Sequence, residues 1–141
     1  MIDFQFIDTK TIPFKNSNDW LEKVIATENK KLGEIVFVFC NDTYLLKKNI
    51  QFLKQDTLTD VISFDYCEGE QISGDILISI DRVQENSKIF KVAFLSELDR
   101  VMVHGLLHLL GYKDNTKEDT KLMRSKEDFY LSIKDDFRRK I

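Results

Sequence analysis

The sequence predicts an α+β domain: a small mixed sheet of about four strands packed with helices. Three observations carry that expectation. Four short segments either alternate apolar with polar residues or concentrate β-branched and aromatic bulk, as strands do. Five longer stretches repeat apolar residues at helical spacing, and they are interleaved with the strands in a mixed order. The 141 residues fit one domain, and with only 5 Gly and 1 Pro no linker divides them, so residues 1–141 are expected to form a single unit.

Taken along the chain, Ile2, Phe4 and Phe6 alternate with Asp3 and Gln5 and predict a half-buried strand. Residues 19–32 carry Trp20, Leu21, Val24 and Ile25 at helical spacing, with Asp19 and Glu22 as a capping pair and Gly33 as the expected stop. Residues 35–40 are β-branched and aromatic, hence a buried strand. Asn41 or Asp42 can cap a second helix bearing Leu45, Leu46, Ile50 and Leu53. Residues 60–66 and 75–80 predict an antiparallel hairpin across Glu68, Gly69 and Glu70. The remainder reads as helices over 81–90, 94–110 and 116–137, with Thr116 and Asp119 marking the last start; neither Gly nor Pro separates the first two.

Composition narrows the function. Net charge is -3, so any hold on nucleic acid must come from a local basic patch, a metal or an already bound partner rather than from bulk charge. The first residues lack the basic and apolar regions of a secretory signal, and the longest apolar run, 35–40, is far short of a membrane span. Cys40 reads as core and Cys67 as part of a polar turn, which is no disulfide framework. The expected setting is the cytoplasm, with no membrane and no organic cofactor.

Chemistry concentrates in one place. The two histidines of the chain, His104 and His108, lie four apart and so project from one helix face. Gly111 and Asp114 complete the pattern H-x-x-x-H-x-x-G-x-x-D, whose spacing matches the zinc-binding frame of metzincin peptidases. Two imidazoles on adjacent turns supply two ligands; a third must arrive from another direction, and Gly111 can end the helix and turn the chain so that Asp114 does so. Three protein ligands leave a position for water, the catalytic arrangement. The expected metal ligands are therefore His104, His108 and Asp114, holding one Zn²⁺ per chain. Mn²⁺ and Fe²⁺ remain open because one donor is a hard oxygen, which also makes the metal a weaker Lewis acid than three histidines would. The bland alternative is two histidines serving packing. Gly105 occupies the place where a zinc peptidase carries its general base, which counts against peptide hydrolysis.

The segment HGLLHLLGY at 104–112 resembles the signature of the YbeY family, bacterial metal-dependent endoribonucleases of ribosomal RNA maturation. TDVISF at 59–64 resembles that family's T-D-V-L-S-F strand, GDI at 74–76 its G-D-I strand, and Asn49 falls where the family has an Asn. The resemblance spans about residues 40–114 and implies a zinc held by a helix and the turn after it, with Asp114 in place of the family's last histidine. It also implies single-stranded RNA as substrate, the 3′ end of 16S ribosomal RNA as a processing target, a part in ribosome quality control, and the ribosome or its proteins as partners. The family has an Arg shortly before T-D-V; here Leu53 stands there, followed by Lys54, a point charge rather than a bidentate clamp.

On this reading the metal offsets charge on a phosphate oxygen or activates water. The catalytic candidates are Lys113 and Lys54 for the phosphate and Ser63 as a hydrogen-bond donor, each with an ordinary surface or sheet role as its alternative. Asp60 and Asp75 are candidates to orient a ligand or cap a turn. The C-terminal Arg138, Arg139 and Lys140 either track RNA or complement a helix dipole. Rival functions are a ribosome-associated assembly factor with a structural metal, a zinc metallopeptidase-like hydrolase, and an iron oxygenase with the same ligand set.

Overall fold

Alternation at the N-terminus forms strand β1 (Ile2–Phe6), which pairs in parallel with β2 (Lys31–Cys40). Strand β2 pairs in parallel with β4 (Gln71–Ser79), and β4 runs antiparallel to β3 (Val61–Asp65). The sheet is thus mixed and four-stranded, in the order β1-β2-β4-β3. The structure, a computed structural model, describes residues 1–14 and 16–139, with side chains described as far as Lys134. The side chains of Arg138, Arg139 and Lys140, singled out in the sequence, lie outside the described residues.

The period of two along the central strands assigns the faces. Ile35, Phe37 and Phe39 of β2, with Ile72, Ile76 and Ile78 of β4, turn to a large core. That core is completed by helices α1 (Ser17–Thr27), α3 (Ile80–Phe90), α4 (Phe94–Leu109) and α5 (Lys117–Arg139) through Trp20, Leu21, Val83, Leu98, Met102 and Tyr130. Val38, Cys40, Ile62 and Leu77 point the other way and meet Leu45 of helix α2 (Asp42–Lys48) in a smaller cluster. Burial pushes the Cys40 thiol up to about 12, so it packs as a small apolar side chain. Among the described residues no helix is long and apolar enough to cross a membrane.

Several boundaries differ from the sequence expectation for physical reasons. Helix α1 stops at Thr27, where Asn29 takes a left-handed conformation (φ 61°), and Gly33 lies inside β2 beside a register shift. Its N-cap is Asn16, without a side-chain capping bond, so Asp19 sits in the first turn rather than at the cap. Asn41 rather than Asp42 caps α2, its side chain accepting the Tyr44 N–H at 2.9 Å. The second helix then loosens into a π-helical turn, Asn49–Leu53. Strand β4 begins earlier than its apolar run because Gln71 and Ile72 pair with Lys31 and Leu32. Lys91, at φ 56°, makes the break between α3 and α4 that no Gly or Pro announces. Thr116 does start α5, accepting the Asp119 N–H at 3.0 Å.

Candidate metal centre

Helix α4 is buried along most of its length and lies directly on the sheet. Gly105 permits that approach: a Cβ there would stand 2.6 Å from Ile76 Cγ2 and 3.3 Å from both Ser63 Oγ and Val61 Cγ2. The position where a peptidase carries its base therefore faces packed sheet, with no room for a carboxylate. With Gly105 inward, His104 and His108 fall on the neighbouring face, half-buried, one turn apart.

The helix ends in a Schellman turn. The Gly111 N–H donates to the His108 carbonyl (3.1 Å) and the Tyr112 N–H to that of Leu107 (3.0 Å). Gly111 adopts φ +104°, a conformation that L side chains rarely take. Tyr112 is fastened by its hydroxyl to Glu28 Oε1 at 2.6 Å, which ties the turned segment to the end of α1. Asp114 is thereby brought back over the two histidines.

The three donor sets converge. His104 Nε2 and His108 Nε2 are 3.1 Å apart, and Asp114 Oδ2 lies 3.4 Å from His108 Nε2 and 3.7 Å from His104 Nε2. Ligand atoms of a tetrahedral zinc with bonds of about 2.0–2.1 Å stand about 3.3 Å from one another. These residues can hold a metal ion with little adjustment, and all their ligand atoms fall within 4.8 Å of each other.

Behind this front the sequence reading missed a support. Glu127 of α5, only 4% exposed, meets His104 Nδ1 at 2.7 Å through Oε2. Its other oxygen accepts from Arg100 Nη1 at 2.9 Å, while Arg100 Nη2 donates to Asp128 at 2.7 Å. A carboxylate on Nδ1–H directs the Nε2 lone pair toward the metal position. Burial alone would depress His104, but the Glu127 hydrogen bond and charge, with Asp60 and Asp114, hold it above its usual pKa. His108 is pushed below its usual value by burial and by His104, leaving a neutral imidazole suited to ligation. A signal for Glu127 existed: Met123, Glu127, Tyr130 and Lys134 form one buried stripe on α5, in which a charged residue is out of place.

A cleft of about 470 Å³ opens from the histidines toward β3 and the π-helical turn. Ser63 and Asp60 line it; Ser63 Oγ donates to the Gly105 carbonyl at 3.0 Å, so its proton is used to hold α4 on the sheet. The Asp60 carboxyl is raised by burial against the opposing pull of His104, and Asn86 donates to it at 3.4 Å. Asn49, buried, donates to the Thr57 carbonyl at 2.9 Å and forms another part of the wall, as does Leu53. Lys54, at the left-handed end of the π-helical turn, and Lys113 are exposed and do not line the cleft. Asp75 lies outside it and accepts from the Tyr66 hydroxyl at 3.3 Å.

Comparison with known proteins identifies the chain's relatives. The family described as Endoribonuclease YbeY matches residues 3–134. A protein of Flavobacterium psychrophilum named Endoribonuclease YbeY is 54% identical over 134 residues, covering 94% of this chain and 96% of that one. One of the same name from Flavobacterium johnsoniae is 56% identical over 115 residues, covering 82% and 83%. Among solved structures, the solution structure of a Thermotoga maritima protein superposes with a TM-score of 0.73 at 27% identity, covering 99% of this chain and 93% of that one. With residues of the 59–64 and 104–112 motifs lining one cleft, the family match spanning residues 3–134, and relatives matched over most of their length, the chain belongs to the YbeY family.

Proposed function

We propose that the chain is a metal-dependent endoribonuclease that cleaves single-stranded RNA, acting as one domain over residues 1–141 with one zinc held by His104, His108 and Asp114. The observation that carries this reading is the convergence of those three ligand atoms within 4.8 Å at the mouth of a cleft. The relatives' name, Endoribonuclease YbeY, supports RNA as the substrate class. We infer the setting in the same way: ribosomal RNA maturation, including the 3′ end of 16S RNA, ribosome quality control, contact with the ribosome, and the cytoplasm.

A bound metal supplies Lewis acidity at the scissile phosphate and a lowered pKa for water. The chain's own residues do the remainder. Glu127 and Arg100 fix the His104 ring so that the donor geometry precedes binding. The Schellman turn at Gly111, anchored through Tyr112 to Glu28, carries Asp114 on a short, fastened segment. Gly105 keeps the ligand helix tight on the sheet, and Ser63 holds its carbonyl.

The test is metal content and RNA cleavage for the protein and for His108→Ala. The expected result is about one zinc in the former and none in the latter, with cleavage of single-stranded RNA by the former alone. Metal without cleavage would move the assembly-factor reading to first place; no metal in either protein would return the histidines to a packing role.

A further inference from the structure

The cleft toward β3 poses a problem for a polyanionic substrate. Among its lining residues are Asp60, Asp65 and Asp114 but no Lys or Arg. On the other side of His104 a second cavity, about 340 Å³, shares His104, Asp60 and Asp114 with the first and is bounded by α5. Two guanidinium groups line it. Arg100 is committed to Glu127 and Asp128. Arg124 is exposed, and its guanidinium makes no hydrogen bond or ion pair with any described residue. Glu97, 6% exposed, also lines the cavity; its carboxylate has no hydrogen-bond partner among the described residues and attracts Arg124 through space without reaching it.

Resting on the nuclease reading above, we propose that single-stranded RNA approaches the metal centre across α5, with Arg124 as a phosphate-positioning residue and Lys121 and Lys117 continuing the track. The three cations recur at i, i+4 and i+7 on one face of the helix, over about 10 Å of its length. Lys117 and Lys121 are exposed and unpaired among the described residues, and with Arg124, Thr120 and Ser125 they line one shallow depression. Lys117, the first residue of α5, sits at the positive end of the helix dipole, where a cation is unfavourable until an anion joins it. Arg124 borders this depression and the metal-side cavity alike, so a strand on the track runs continuously into the centre. An Arg here supplies from α5 the planar two-donor grip on phosphate that no residue lining the β3 cleft supplies.

The test is the salt dependence of binding to a fluorescent 2′-O-methyl oligouridylate, followed by anisotropy with the metal-loaded protein. Each phosphate contact on a single strand contributes about 0.7 to the slope of log K against log salt. Arg124→Ala is expected to flatten the slope by about 0.7 and Arg124→Lys to restore it. The triple variant Lys117→Ala, Lys121→Ala, Arg124→Ala should flatten it by about 2, whereas Lys23→Ala, an exposed cation on α1, should leave it unchanged. Equal slopes for wild type and triple variant, with wild type still cutting the all-ribose strand, would overturn the track and leave the nuclease reading standing. A wild type that neither binds nor cuts RNA would overturn both.

Discussion

Two ionic clusters lie between α4 and its neighbours, and they are built in opposite ways. In one, the Lys134 ammonium, 5% exposed, is 2.6 Å from Asp99 and 3.1 Å from the Ser17 hydroxyl, and lies 4.5 Å from the centre of the Trp20 ring. Trp20 in turn donates its indole N–H to the Tyr130 carbonyl at 2.7 Å. Every neighbour named there complements a cation, and the group is closed from solvent. In the other cluster, the rear is equally well paired, Arg100 to Glu127 to His104. The front is not: two imidazole nitrogens and a carboxylate oxygen, each able to ligate a metal, crowd within 4.8 Å of one another with no Lys or Arg among them. Alternating charge marks a cluster that holds helices together. Converging ligand atoms mark one arranged to receive a cation from outside.

The contrast can be broken from either side. Lys134→Ala removes one close charged hydrogen bond from buried Asp99 and should cost about 1.5–3 kcal/mol in urea unfolding, with metal affinity unchanged. A loss of metal affinity would show that the two clusters are coupled along α4. Glu127→Gln keeps the size but replaces the carboxylate behind His104 with a neutral amide. Its expected effect is a 10- to 100-fold weaker grip on zinc by chelator competition, about the usual result of altering such an outer partner. Unchanged affinity would mean that the His104 ring needs no such support.

The smallest effect concerns acid stability. Burial raises the Glu28 carboxyl, but hydrogen bonds from Tyr112 and Tyr130, with the charge and hydrogen bond of Lys126, outweigh it and leave the group below its usual 4.5. A depressed folded-state pKa contributes stability that is fully present above the unfolded value, about 4.5, and is lost as pH falls through the folded one. Stability measured against pH should therefore decline less steeply on the acid side below about pH 4.5 in Glu28→Gln than in the wild type. Parallel acid limbs would show that Glu28 is paired no better in the folded chain than in the unfolded one.

Much of the centre was legible because its rules are local. The four-residue repeat of His104 and His108 follows from helix geometry, and the turn at Gly111 from the steric freedom of one residue. The same holds for the Thr116 start of α5, but not for the break before Phe94, where the left-handed residue is Lys91 and no Gly or Pro signals it. Gly33 was misleading for the complementary reason. A glycine after a helical stretch looks like a stop, but Asn29 had already ended α1, and pairing of Lys31 and Leu32 with β4 drew Gly33 into the strand.

The sequence by itself determined the α+β composition, the family resemblance and the trio His104, His108 and Asp114, since periodicity and spacing act within a few turns of chain. Only the tertiary structure decided which groups face that trio. Glu127 lies 23 residues from His104 and reaches it because α5 packs against α4. The same packing sets Arg124 beside the centre, while the path of β3 brings Asp60 to the cleft and that of β4 takes Asp75 away. Such pairings depend on how surfaces are buried against one another, and burial is a property of the whole fold rather than of any segment.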